Sequence, residues 1–600
     1  MVVIGAGAAG LYCAGLLGQQ GRQVVVLDHA RRIGEKIRIS GGGRCNFTNL
    51  HGADPARYLC TDPRFVRYAL KEHPPERFIA RVRRAGIGFH EKHLGQLFCN
   101  DSSQQIIDML LADCRRGGVQ IRHPVTVTGM QRLVVRESLD QHESREAGGS
   151  FTADGPFPAD GSFTEDAPFA KDGVVRPGEK SPAAAGAPAV SGIRALQDPD
   201  AGQAPRFEIR TTAGVLRARC LVIATGGLSI PAIGASDFAW QLATEWGLQT
   251  IAPRPGLVPL TMTSPAWQPF AALSGVALPV DVSVMVSPPG RAKARKPQPV
   301  RFGEDLLFTH RGLSGPASLQ ISSYWRAGQP LWLNLLPQID RAGEWLVDLK
   351  HGRLAVSPLS AGRKEDGVFR DAAGGAVTLS GTSGRGSRPR QCRDASLPGE
   401  AGAAHDHAHI MALLGGQPHR QQLGTILSAL LPGRLARAWL AGAAPLSGMQ
   451  WPPQRAAALQ ELREDMRLTD LLDARLRELG QALNAWPLVP AGTEGYRKAE
   501  VTVGGLATAE LDPTTMMARR IPGCYWIGEA VDVTGWLGGY NFQWAWASAW
   551  VAARALGKGR EKPDKPGPPR VQQSDSRPDA PVAADSRAPP GDGMRPLLGK

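Results

Sequence analysis

Three glycines near the start of the chain, Gly5, Gly7 and Gly10, follow the apolar run Val2, Val3 and Ile4 in the spacing G-x-G-x-x-G. That spacing suits a pyrophosphate. The first glycine allows a tight turn out of a strand, and the second lets a phosphate approach the backbone. The third lets the next helix pack closely on the strand. Ala8 and Ala9 open that helix, and its free amides and positive dipole end would face the phosphates. A second apolar run at 24–27 ends in Asp28, placed to accept hydrogen bonds from ribose hydroxyls. The pattern predicts a bound dinucleotide.

Two further glycine turns say which one. The run 216–224 reads as a strand that enters Thr225, Gly226 and Gly227. Near the C-terminus the strand-like run 524–527 enters Gly528, Glu529, Ala530, Val531 and Asp532. Gly535, Gly538, Gly539, Tyr540 and Asn541 follow, then a small-residue helix over 544–555. This is the layout of an FAD enzyme whose chain leaves the nucleotide domain, builds another, and returns to cover the flavin. Glu529 and Asp532 are expected to hold ribityl or pyrophosphate oxygens. The Gly538–Gly539 pair at a helix start brings amides to the flavin N1–C2=O edge, which gains negative charge on reduction. A glycine-rich loop holding Ser40, Gly41, Gly42, Gly43, Arg44, Cys45 and Asn46 is expected to clamp the phosphates or the flavin edge. Only one dinucleotide fingerprint is present, so NAD(P)H is expected as a transient co-substrate rather than a second resident.

Three side chains are candidates for catalysis. Tyr540 follows the flavin-edge glycines and is a proton donor by chemistry. His310 begins a glycine-punctuated turn and could donate a proton or orient substrate. Cys45 could act as a redox thiol or acid, although no second cysteine lies near it in sequence. His405, His407 and His409 sit in a low-complexity stretch, and no metal is expected there. Neither a Ser–His–Asp order nor an H-E-x-x-H motif is visible.

The elements that must position these residues read as an α/β chain of several parts. Residues 1–136 form the first part of a Rossmann-type FAD-binding domain, 206–250 its second part and 499–557 its C-terminal part. Residues 251–350 alternate as strands do and predict a β-rich, barrel-like domain. Residues 408–498 predict a helical domain from the 3–4 spacing of Leu459, Leu462, Met466, Leu471, Leu472, Leu476, Leu479 and Leu483. Two tracts break the periodicity, 137–205 and 351–407, and read as disordered or low-complexity insertions; 558–600 reads as a disordered tail. Within the first, Phe151, Phe157, Phe163 and Phe169 recur every six residues, each three before an aspartate. Four copies are too few for a hexapeptide β-helix. Only three residues precede Ile4, a short central strand, which points to a start codon upstream of Met1.

Charge and composition narrow the partners. The net charge is +14, and residues 137–205 hold twelve acids against five bases, so the rest of the chain carries about +21. That balance suggests an acidic partner such as RNA, with Arg291, Lys293, Arg295, Lys296 and Arg301 as one basic cluster and Arg77, Arg81, Arg83 and Arg84 as another. An Arg-rich surface with no such partner reads equally from charge alone. Eight cysteines without a C-x-x-C pair exclude a disulfide scaffold and a zinc ribbon, and fit a reducing, cytoplasmic location. No apolar run of about 18 residues predicts a membrane span.

The chain resembles the HI0933-like or BaiN-like bacterial flavoprotein family. Ser40 to Asn49 match its S-G-G-G-R-C-N-x-T-N loop. Residues 307–316, with His310, match its L-F-T-H-x-G-L-S-G-P segment, and 500–505, 528–532 and 538–541 match its C-terminal block. The resemblance covers about 440 residues; Asp28 stands where FAD proteins often carry Glu. It implies FAD and three parts: a split FAD domain, a β-barrel-like domain and a small helical domain. The activity expected is reduction of an activated C=C bond by hydride from reduced flavin, with a small conjugated enone as the first expectation. The alternative is uracil in structured RNA, reduced to dihydrouridine. A third reading is a non-catalytic flavin-binding regulatory protein.

Overall fold

A computed structural model describes residues 1–133, 206–262, 264–287, 296–354, 418–443 and 461–557, with short strands at Ser150–Thr152, Phe369–Arg370 and Ala376–Val377 and positions 410, 414, 455 and 459. The first apolar triplets of the chain form the centre of a parallel sheet. Its order is Cys524–Trp526, Leu221–Ile223, Val2–Ile4, Val25–Leu27 and Gln120–Arg122. The three inner triplets and the Cys524–Trp526 edge are buried, as parallel strands between helices must be. Helix Ala8–Gln19 covers one face, and Tyr540–Leu556 packs beside it, with Tyr12 edge-on to Trp546 at 5.6 Å. The nucleotide fold is therefore split along the chain as expected.

An antiparallel sheet of Gly214–Ala218, Phe207–Thr211, Val127–Arg132 and Ser150–Thr152 flanks it. The last strand lies inside 137–205 and pairs Phe151 with Met130, so this tract is not without structure throughout. Phe369–Arg370 and Ala376–Val377 likewise pair inside 351–407.

The chain leaves the nucleotide fold along Thr250–Gly256 and returns along Val501–Leu506, and these two strands pair antiparallel. Between them lies a seven-stranded antiparallel sheet in the order Trp486–Leu488, Leu331–Asn334, Ala277–Val286, Gln298–Thr309, Gly312–Ser314, Leu260–Thr261 and Gly492–Thr493. Its two edge strands are separated by only residues 489–491, so the edges lie within about 15 Å of each other and the sheet curls toward a barrel. This corrects the helical boundary of 408–498, because 486–493 belongs to the β-rich sheet. Helix Ala342–Lys350, inside the range expected to be β-rich, packs on Asp473–Asn484. There Gly343 and Gly480 meet so closely that a Cβ on Gly480 would lie 1.9 Å from the Gly343 nitrogen. The β-rich and helical parts share one apolar core, and the nucleotide fold has its own. Among the described residues, no helix is long and apolar enough to cross a membrane, and no group of three or more His, Cys, Asp or Glu could hold a metal ion.

Candidate cofactor cleft and active site

A cleft of about 980 Å³ opens beside the carboxyl ends of the parallel strands, where ligands of such sheets bind. The three opening glycines have three different reasons to be glycine. Gly5 has φ +105°, and a Cβ there would lie 2.4 Å from the Ala224 carbonyl oxygen. A Cβ on Gly10 would lie 1.9 Å from the Gly5 oxygen, so it locks helix to turn. A Cβ on Gly7 would meet nothing within 4 Å, because that face looks into the cleft. Gly7 also caps helix Ala8–Gln19 with no side-chain acceptor, leaving the first amides of the helix for a ligand.

Asp28 lines the cleft, and its carboxylate is fixed by two amides, Ala6 at 2.6 Å and Ala30 at 2.8 Å. Each oxygen keeps lone pairs for a ribose hydroxyl. Thr225, Gly226 and Gly227 line the opposite wall, and the Thr225 hydroxyl is buried without a partner. Such an orphan is what a polar ligand would satisfy. Ser40, Gly41 and Gly42 line the cleft, and Gly42, at φ +65°, presents an open face to it.

Far-separated loops are knit at the other end. The Asn49 side-chain amide donates to the Gly538 carbonyl at 2.8 Å, and the Thr48 hydroxyl meets Gln543 at 2.7 Å. A Cβ on Gly539 would lie 2.4 Å from the Thr48 oxygen, so only glycine lets helix Tyr540–Leu556 start this close to the loop. Gly538, Gly539, Asn541 and Asn46 line the cleft, and Asn541 closes the turn by pairing both its amide atoms with Gly535. Gly528 and Glu529 also line it. Glu529 accepts from Lys36 and Ser229 and from the Thr502 amide at 2.8 Å. An orphaned hydroxyl, two uncapped helix starts and an open glycine face fit a cofactor with phosphates, ribose and a ring.

Besides Gly10, which is packed against Gly5, six expected residues do not line the cleft. Asp532 is buried behind the cleft, where it accepts from the Thr61 amide and hydroxyl at 3.1 and 2.6 Å. The Arg44 side chain is exposed and away from the lining, as is His310, which caps the hairpin between Gln298–Thr309 and Gly312–Ser314. Cys45 is fully buried, and burial pushes its thiol well above the ordinary range, so the thiol is neither accessible nor ionised. Tyr540 points into the core, edge-on to Tyr58 at 6.0 Å, and burial raises its phenol to about 12. Gly43 stays outside the lining as part of the turn that carries the loop.

The sequence reading missed Lys36, Gln96, Glu304 and Glu500, which line the cleft. For Glu304 a signal existed. Strand Gln298–Thr309 turns Phe302, Leu306 and Phe308 to the core at period two, and Glu304 falls on that same face.

The fold and the cleft define an FAD-dependent flavoprotein oxidoreductase. The chain belongs to the family described as HI0933-like protein Rossmann domain, which it matches over residues 1–154 and 193–555. It is similar to proteins named ribosomal RNA dihydrouridine synthase: 35% identical to that of Escherichia coli (strain K12), over 92% of this chain and 97% of the relative, and 31% identical to that of Haemophilus influenzae (strain ATCC 51907 / DSM 11121 / KW20 / Rd), over 93% and 98%. It is 23% identical to the 3-dehydro-bile acid delta(4,6)-reductase of Clostridium scindens (strain ATCC 35704 / DSM 5676 / VPI 13733 / 19), over 92% of this chain and 98% of the relative.

The family match passes over residues 155–192. Replacing 155–192 with a short glycine-serine linker is expected to leave bound flavin and cooperative urea unfolding unchanged. A protein that lost its flavin on this deletion would show that the segment supports the cleft.

Proposed function

We propose that the protein reduces uracil to dihydrouridine in ribosomal RNA, working in the cytoplasm where that RNA lies. The observation that carries the reading is identity of 35% along nearly the whole length of a ribosomal RNA dihydrouridine synthase, against 23% to the bile acid reductase. This reverses the order in which the sequence alone ranked enone and RNA. The net charge of +14 fits a polyanionic substrate. Of the two basic clusters, Arg291, Lys293 and Arg295 lie outside the described residues. Arg77, Arg83 and Arg84 are exposed on helix Pro75–Arg84, while Arg81 is held by Asp113.

Bound FAD supplies a hydride once it has been reduced, with NAD(P)H as the transient donor. The chain's own work is binding and orientation. Gly7 and the amides at Ala8 and Ala9 would receive the pyrophosphate, and Asp28 would hold a ribose. Gly42, Asn46, Thr225, Gly226 and Gly227, which line the same cleft, would hold the rest of the cofactor. The helix start at Gly538 and Gly539 stabilises the charge gained on reduction. Gly528, Glu529 and Lys36 line the same cleft, with Lys36 paired to Glu529.

The test is direct. Full-length protein with FAD and NAD(P)H is incubated with ribosomal RNA from a strain lacking the gene, and fragments are mass-mapped. A two-hydrogen mass gain at a defined uridine is expected. RNA affinity should fall with salt, by a logarithmic slope of about 0.7–0.9 per phosphate contact. Absence of any mass gain, with a conjugated enone reduced instead, overturns the reading in favour of a small-molecule reductase.

A further inference from the structure

Five carboxylates line the cleft: Asp28, Glu35, Glu304, Glu500 and Glu529. Asp28 is occupied by two amides, Glu35 by Arg32 and Arg38, and Glu529 by Lys36. Glu304 and Glu500 have no cationic partner among the described residues, and they differ in how they are held. Glu304 enters from the barrel sheet, opposite the buried Val280. One of its oxygens accepts from the Gln320 side chain at 2.9 Å. The other end of the Gln320 amide accepts from the Leu537 backbone nitrogen at 2.9 Å. Leu537 directly precedes the Gly538–Gly539 helix start and itself lines the cleft. Glu304 is thus tied through one amide to the loop at the ring end of the cleft, with its second oxygen free. The Glu500 side chain makes no such link; its backbone accepts from Ser229 and donates to Leu257.

We propose that Glu304 is the acid that protonates the substrate, and this rests on the reductase reading above. Reduction of a conjugated C=C bond needs one hydride and one proton. With the hydride added from reduced flavin at the carbon farther from the carbonyl, the electron pair of the double bond moves to the adjacent carbon. That carbon takes the proton from Glu304: a C–H bond forms, the Glu304 O–H bond breaks, and the carboxylate regains its proton from water. In uracil the two carbons are C6 and C5. Glu304 lines the cleft from the barrel sheet, and the glycine turns line it from the nucleotide fold, so hydride and proton come from different groups.

The surroundings favour the acid form. Burial raises the Glu304 carboxyl above its ordinary value of 4.5, and Asp305 adds to the shift while the Gln320 bond opposes it. Tyr540, which feels the Glu304 charge from the C-terminal helix, is neutral, and Arg57 lies over the Tyr540 ring at 5.9 Å. Glu500, on the return strand side of the cleft, is also raised by burial.

The experiment compares Glu304→Gln, Glu304→Asp and Glu500→Gln in the full-length flavoprotein, with ribosomal RNA and a conjugated enone as separate acceptors. Glu304→Gln is expected to bind FAD with an unchanged spectrum and to accept electrons from NAD(P)H normally. Oxidation of its reduced flavin by acceptor should slow about 100-fold or more, with the alkaline limb of the pH profile removed. Glu304→Asp should recover part of the rate and restore that limb. A second readout needs no turnover. The folded carboxyl titrates above the unfolded one, so wild type loses stability as pH rises through 4.5 toward the raised value. The urea midpoint of Glu304→Gln should therefore gain on wild type across that window. A Glu304→Gln rate within about threefold of wild type, a loss confined to Glu500→Gln, or a midpoint difference flat with pH overturns the assignment. If only the enone is reduced, the RNA reading fails while the role of Glu304 is still decided on the enone.

Discussion

Gly7→Val is expected to give a folded but colourless protein, and Gly10→Val little folded protein at all. Both positions belong to one motif, yet their surroundings differ. Gly7 has φ −86° and ψ −165°, an extended conformation that a β-branched residue adopts freely, and its Cβ direction is open. A valine there fills only the space that the pyrophosphate needs. FAD affinity should fall at least about 100-fold, while the unfolding free energy of the flavin-free variant should stay within about 0.5 kcal/mol of flavin-free wild type, as for a surface substitution. At Gly10 the new carbon would lie 1.9 Å from the Gly5 oxygen, backbone against backbone, with no flexible side chain to give way. Relief requires helix Ala8–Gln19 to part from the central strand, which undoes the packing of Leu11, Ala14 and Leu17. Overpacking usually costs about 1–3 kcal/mol, and a clash between two main-chain segments exceeds that. Flavin fluorescence after denaturation and circular dichroism distinguish the outcomes. A yellow Gly7→Val protein with stoichiometric FAD would remove the pyrophosphate from this turn.

The same contrast explains what could be read from the sequence. Glycine spacing reports backbone geometry, and backbone geometry is local; the turns at Gly5, Gly226 and Gly539 therefore stood in the sequence at the positions where the fold uses them. Asp28 was legible for the same reason, since it ends the strand beside the turn. Side-chain direction is not local. Tyr540 and Asn541 are neighbours at a helix start, but a helix turns about 100° per residue, so one faces Tyr58 in the core and the other the cleft. Cys45 and His310 lie in distinctive loops whose backbone shapes matter, and the side chains themselves point elsewhere. The leucine spacing over 459–483 predicted a helical domain; Leu459 is helical, and Leu472, 72% exposed, stands in the break between the short turn Leu468–Asp470 and helix Asp473–Asn484. Trp486–Leu488 pairs with Leu331–Asn334, a partner more than 150 residues earlier, which no local pattern announces. Glu304 was within reach, because an acid at an inward position of an alternating strand is an energetic anomaly that calls for a function.

Acid should start to cost this protein stability through His73 from pH 6.5 downward, before the ordinary carboxylates begin to be protonated. His73 is fully buried, and its Nε2 meets the Tyr12 hydroxyl at 2.8 Å, while its Nδ1 has no partner. Its carbonyl accepts from Gln543 at 2.7 Å, and the Gln543 oxygen in turn accepts from the Thr48 hydroxyl. One residue thereby braces the nucleotide helix, the loop at 46–49 and the C-terminal helix, three of the walls around the flavin. Burial lowers its pKa from 6.5 to about 3, with Arg77 and Arg81 pushing the same way. The sign follows from linkage. Above pH 6.5 the imidazole is neutral in both states and nothing is lost. Below it the unfolded chain takes up a proton that the folded chain refuses, so stability falls steadily until about pH 3. At about 1.36 kcal/mol per unit the full loss is roughly 4–5 kcal/mol, a large share of the stability of a typical domain. Urea midpoints of wild type and His73→Gln at intervals from pH 7 to pH 4 isolate this contribution, because the carboxylates titrate alike in both. His73→Gln should start lower at pH 7, having exchanged the tyrosine bond for a strained one, and then lose less as pH falls. Release of flavin from wild type should track the same window, since the imidazole bonds the Tyr12 hydroxyl while the His73 main chain bonds Gln543, and the joint between the two helices is weakened where the ring is forced to charge. Parallel midpoint curves for the two proteins would mean that the buried imidazole is protonated without cost, and that the brace at His73 is not what the flavin site depends on.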